Sequence, residues 1–138
     1  HNIRFMPPQP VENLRAMMES GDVHLITMKN EALGMLVPSK LYAAFAVARP
    51  VVFVGHDQSE AARIVKDFNA GKVIAQPNGK KLAEAVLALR LDGDLWFAAH
   101  EGAKNAGYAC HPKESTDAWI KRARELLPFS ATQKRVKK

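Results

Sequence analysis

Four short apolar runs, separated by stretches with helical periodicity, restrict the fold of this chain more than any other feature. VVFV at 51–54 is apolar throughout, as expected of a strand buried on both faces in a parallel sheet. DVHLITM at 22–28 and KVIA at 72–75 read as further strands, and NIRFM at 2–6 alternates polar and apolar residues ahead of a proline-rich turn. Val11, Leu14 and Met18 recur at helical spacing, with Gly21 placed for a left-handed C-cap. Ser39 is placed to cap a helix carrying Leu41, Ala44, Phe45 and Ala48 on one face, which must stop before Pro50. Ser59 is the next N-cap, and Ala61, Ile64, Val65 and Phe68 mark a helix that Gly71 ends. Leu82, Ala85, Val86 and Leu89 give another, and helix is expected from 93 to 127 with a break near His111-Pro112. Alternation of this kind predicts right-handed crossovers and an α/β fold, a Rossmann-like parallel sheet with helices on both faces.

A length of 138 residues suits one domain of about 100–150 residues. We expect it over residues 1–127, with 128–138 as a loose basic tail. Cys110 is the only cysteine, which excludes an internal disulfide and fits a reducing cytoplasm. No run approaches the roughly 18–20 apolar residues that span a bilayer. The formal charge of +6 is unevenly placed: residues 1–120 hold 13 Lys/Arg and 13 Asp/Glu, whereas 121–138 hold seven Lys/Arg and Glu125. Balance over most of the chain argues against a nucleic-acid partner. The basic end reads either as a solvated tail or as an attraction to an anionic membrane surface.

Ligands of open parallel sheets lie beyond the carboxyl ends of the strands, which directs attention to loops 29–38 and 55–59. Each precedes a helix, whose free N–H groups and dipole favour an anion. Lys40, in the first turn after Ser39, opposes that dipole, so either an anionic ligand such as a diphosphate compensates it or it is a solvated lysine. Glu31 and Gly34 share the loop, the first able to accept hydrogen bonds from hydroxyl groups and the second to let backbone approach a ligand. The five histidines lack metal-ligand spacing, and His24 reads as structural. No GxGxxG, GxxxxGK[ST] or GxSxG occurs. The methionines read as core or loop filling, and Trp96 and Trp119 as packing anchors.

In order along the chain, these segments resemble the group 1 glycosyltransferases, glycosyltransferase family 4, and in particular exopolysaccharide and colanic-acid-type enzymes. NIRFMPPQPVENLRAMMESGDVHLITM is similar to the family's strand, turn, helix and strand, and ALGMLVPSKLYAAFAVARPVVFVG to its "PSKl.eylaaGkPVv" segment. SEAARIVKDFNAGKVIAQPNGKKLAEAVLAL resembles the following helix, strand and helix, and GYACHPKESTDAWIKRARELL the terminal helix.

The resemblance implies a GT-B fold, of which this chain is the carboxy-terminal donor-binding part, with the first strands of that domain and the amino-terminal acceptor domain missing. It implies a nucleoside-diphosphate sugar donor, a polysaccharide or lipid-linked acceptor, retention of anomeric configuration, and no cofactor or metal. Location in the cytoplasm, peripheral on the inner face of the cell membrane, is expected with it. Ser39 and Lys40 are the retained donor-side positions, with Glu31 and Gly34 supporting them. Two positions depart from the pattern: Ala43 stands where the family carries a ribose-binding glutamate, and Ala48 where it carries a glycine. Ala43 and the missing acceptor domain leave a second reading open, a non-catalytic nucleotide-sugar-binding or interaction module, and the missing domain leads us to expect the isolated fragment to be inactive.

Overall fold

The computed structural model describes residues 3–126. Three strands, β1 (His24–Thr27), β2 (Val51–Val54) and β3 (Gly71–Ile74), form one parallel sheet in the order β1-β2-β3. His24 is in register with Val51, and Val51 with Gly71. Among the described residues six α-helices surround it: α1 (Leu14–Glu19), α2 (Ser39–Ala46), α3 (Glu60–Asp67), α4 (Gly79–Leu91), α5 (Gly93–Ala109) and α6 (Pro112–Leu126). The α/β class, the parallel sense and the flanking helices agree with the sequence expectation.

Period-two geometry splits β2 between two cores. Val51 and Phe53 join Ile26, Leu41, Phe45, Ile64 and Val65 on the face covered by α2, α3 and the second half of α5. Val52 and Val54 join Ile74, Leu89 and Ala99 on the opposite face, under α4 and the first half of α5. Both cores thus share α5, whose Ala99 belongs to one and Ala103 and Ala106 to the other. Small residues make that crossing feasible: a Cβ on Gly102 would collide with the Phe68 carbonyl oxygen, and one on Gly107 with that of Phe45. His24 is held structurally, its Nε2 2.9 Å from the Met18 carbonyl oxygen. Trp96 also anchors packing, donating from Nε1 to the Asp22 carbonyl oxygen at 3.0 Å.

Several local expectations are corrected. Residues 3–6 form no strand and are exposed, and residue 2 lies outside the described residues. Alternation is present there, but a strand needs a neighbour to satisfy its ladder. The described sheet therefore has three strands, not four. Ser39 is the first residue of α2 rather than its cap; Pro38 occupies the cap position, and no side chain caps the helix. Gly21 does not take a left-handed backbone, α1 ending instead at the right-handed Ser20. Asn69 (φ 52°), not Gly71, supplies the left-handed turn after α3. Gly71 opens β3, where a Cβ would strike the Val51 carbonyl oxygen. Trp119 is not a packing anchor but is 72% exposed. Ser59 does cap α3, its Oγ accepting from the Ala62 N–H at 3.2 Å. The helical break before Pro112 also falls where proline demands it. The tail, 128–138, lies outside the described residues.

Candidate functional site

The carboxyl ends of the strands are knit together: the Met28 N–H reaches the Val54 carbonyl oxygen at 2.9 Å, and the Gly55 N–H that of Ile74 at 3.1 Å. From this rim the chain turns through Asn30–Ala32, a single 3-10 turn, into an apolar loop and then α2. Gly34 in that loop has φ 75°, and nothing lies within 4 Å of where its Cβ would be. Backbone conformation, not crowding, accounts for glycine there.

Two neighbouring helix starts are finished differently. At α3, Ser59 accepts one N–H and Glu60 adds a carboxylate, the usual complement to a helix dipole. At α2 no side chain caps the first turn and no acid lies in it; the Leu41 N–H is satisfied by the Pro38 carbonyl oxygen at 3.0 Å. Ser39 and Lys40 are exposed at this start, and Lys40 makes no ion pair among the described residues. An uncapped helix end with a lysine and no carboxylate presents a net positive site.

Lys40 and Ser39 line a groove of about 600 Å³ together with Ala43, His24, Leu25 and Ile26, at the edge of β1 that carries no neighbouring strand among the described residues. Ala43 brings no carboxylate to this groove. Gly34 belongs to a second groove of about 550 Å³, between the apolar loop and Gln58, Ser59 and Glu60. Glu31 lines neither and is exposed. Of the four sequence-derived site residues, Ser39 and Lys40 are thus brought together, while Gly34 and Glu31 stand apart from them. Sequence reading directed attention to loops 29–38 and 55–59 but gave Ser59 itself a capping role and did not name Gln58 or Glu60, which line a groove with Gly34.

Glu60 enters that second groove as a carboxylate paired with Arg63. Hydrogen bonding from Arg63 holds its carboxyl below the usual carboxylate range, and Arg63 also bonds Asp67 at 2.9 Å. A larger groove, about 1030 Å³, lies elsewhere, between α1, the carboxyl end of α2 and the α5–α6 junction. Burial pushes the Cys110 thiol there upward, with Glu60 adding to the effect. A thiol kept protonated is a poor nucleophile. Among the described residues no three His, Cys, Asp or Glu side chains are grouped to hold a metal, and no helix is long and apolar enough to cross a membrane.

No protein-family model matches the chain. No solved structure matches it. Over 87 residues it is 30% identical to an Escherichia coli (strain K12) protein named as the colanic acid biosynthesis glycosyl transferase WcaI. The matched stretch is 63% of this chain and 21% of that relative, so the chain spans about a fifth of the relative's length.

Proposed function

We propose that this chain is the nucleotide-sugar-binding part of a glycosyltransferase. The observation that carries the reading is the uncapped start of α2, with Ser39 and Lys40 exposed beside a groove that runs along the edge of β1. Similarity to a glycosyl transferase over 87 residues supports it. In glycosyl transfer the bond between sugar and diphosphate breaks, and negative charge grows on the leaving diphosphate. Donors fixed in advance toward that charge lower the barrier. The N–H groups of the first α2 turn, the Ser39 hydroxyl and the Lys40 ammonium supply such donors. Gly34 and Glu31, which stand apart from Ser39 and Lys40, enter this reading only through the family resemblance.

The finer reading is a GT-B enzyme of the group 1 type. The rest of the donor domain and an acceptor domain come from polypeptide outside these 138 residues, and the product keeps its anomeric configuration. The open edge of β1 and the half-exposed Leu25, which is 53% accessible, support continuation of the sheet on that side. Acceptors of polysaccharide or lipid-linked type follow from the same reading.

Ala43 supports a second reading, a module that binds nucleotide sugars without turning them over. It lies in the same groove as Lys40 and offers no acceptor to ribose hydroxyls. A calorimetric screen of UDP-, GDP-, ADP- and CMP-linked sugars against the intact protein, followed by a transfer assay with the best binder, separates the two. Binding with turnover supports the enzyme, and binding without turnover the module. Absence of binding to every nucleotide sugar would remove both.

A further inference from the structure

Two grooves end at the start of α2. Ser39 and Lys40 line the one along the edge of β1, while Leu36 and Val37 line the other, which lies against Gln58, Ser59 and Glu60. Only Pro38 separates them, so Val37 and Ser39 are at most about 7 Å apart along the chain. A molecule whose anionic end sits at Lys40 therefore has the group attached to that end within reach of the second groove. In a nucleotide sugar that group is the sugar.

The chemistry of the second groove suits an uncharged, hydroxylated ring. Leu33, Met35, Leu36 and Val37 give it an apolar wall, and its one charged lining residue, Glu60, already takes N–H groups from Arg63 on both carboxylate oxygens. The Ser59 side chain is buried and caps α3. Gln58 is exposed, and its side-chain amide makes no hydrogen bond among the described residues. An amide offers two N–H donors beside an acceptor oxygen, a match for neighbouring hydroxyls that each donate and accept. The backbone beneath it is held at three points. His56 accepts the Gln58 N–H on Nδ1 at 3.2 Å, the Ser59 N–H donates to the His56 carbonyl oxygen at 3.0 Å, and Lys66 Nζ donates to that of Asp57 at 3.1 Å.

We propose that Gln58 is a specificity-determining residue for the sugar of the donor, its amide hydrogen-bonding neighbouring ring hydroxyls while the apolar loop covers a C–H face of the ring. His56 is the positioning residue that fixes the Gln58 backbone. A sugar lacking a hydroxyl at that place leaves the amide without its partner and binds more weakly. The proposal rests on the reading of Lys40 and the α2 start as the diphosphate site.

The test is calorimetry on the intact protein with the best-binding of the UDP-, GDP-, ADP- and CMP-linked sugars, and with the same nucleotide free of sugar. Gln58 is exposed, so Gln58→Ala folds normally. It should bind the nucleotide sugar about three- to tenfold more weakly, the net worth of one hydrogen bond, and the sugar-free nucleotide as wild type does. His56→Ala should act in the same direction. His56→Asn should recover most of the loss, because an asparagine side chain can accept the N–H two residues on, and no recovery would overturn the positioning role. Equal affinity of Gln58→Ala and wild type for the nucleotide sugar would overturn the proposal. An equal loss with and without the sugar would show that Gln58 supports the loop rather than reads the sugar, and would overturn it too. Failure of the Lys40 reading is seen separately, as binding of the sugar-free nucleotide that Lys40→Ala leaves unchanged, and would remove the basis of this proposal.

Discussion

The carbonyl oxygen of Ala48 accepts a hydrogen bond from His100, whose Nδ1 lies 2.6 Å away. Ala48 is left-handed, with φ 54°, and turns the chain from α2 into β2. His100 reaches it from α5 and is stacked on Trp96, with ring centroids 5.1 Å apart. The turn, the helix that crosses beneath it and both cores are therefore tied at one point.

Alanine in that conformation costs roughly 1–2 kcal/mol, part of which glycine returns as lost chain entropy. Ala48→Gly should therefore raise stability by up to about 1 kcal/mol. His100→Ala should lower it by about 1–2 kcal/mol, through the lost hydrogen bond and stack. Urea unfolding monitored by circular dichroism measures both.

Gly102→Ala tests the close crossing of α5 over the end of α3. Its new methyl group would meet the Phe68 carbonyl oxygen, which is backbone and cannot swing away. We expect a loss of about 1–3 kcal/mol, although alanine is the better helix former by roughly 1 kcal/mol. A gain in midpoint of thermal unfolding would show that α5 sits farther from α3 than described.

The lowered Glu60 carboxyl gives a pH prediction with a defined sign. A carboxylate whose folded pKa is depressed contributes stability above its unfolded pKa, and that contribution is lost as pH falls through the folded value. For Glu60 the cause is chiefly the hydrogen bond from Arg63. Because both side chains are about half exposed, water and salt keep the effect small. Glu60→Gln should be slightly less stable than wild type near neutral pH, and the difference should close in acid, below the ordinary carboxylate range. A difference that widens in acid would contradict the assignment.

Much of this fold is legible from residue order, and the reasons are local. VVFV needs burial on both faces, Pro112 must interrupt a helix, and Ser59 sits just ahead of an apolar period, so β2, the α5–α6 break and the α3 cap follow directly. NIRFM misleads because alternation describes one segment, while a strand depends on a partner that the segment cannot specify. Gly71 misleads for a related reason: its glycine answers to the Val51 backbone, twenty residues earlier in the chain, and not to the helix just before it. At the site, Lys40 opposing the helix dipole is readable in sequence. The pairing of Gly34 with the α3 start depends on how two loops lie side by side and has no linear signature.

The proposed division into a donor half and an acceptor half predicts that residues 1–138 alone transfer no sugar, since the reaction needs both substrates held in one geometry. A radiolabelled-donor assay with the best-binding nucleotide sugar checks this. Transfer by the chain alone would mean that it carries an acceptor site.

The central claim is that Lys40 and the start of α2 hold a diphosphate, and calorimetry on the intact protein tests it most directly. Lys40→Ala should weaken binding of the donor and of the free nucleoside diphosphate by roughly 1–3 kcal/mol, the cost of losing a charge-assisted hydrogen bond. Binding of the nucleoside alone should barely change. Equal affinity of wild type and Lys40→Ala for the nucleoside diphosphate would contradict the account and place the diphosphate elsewhere.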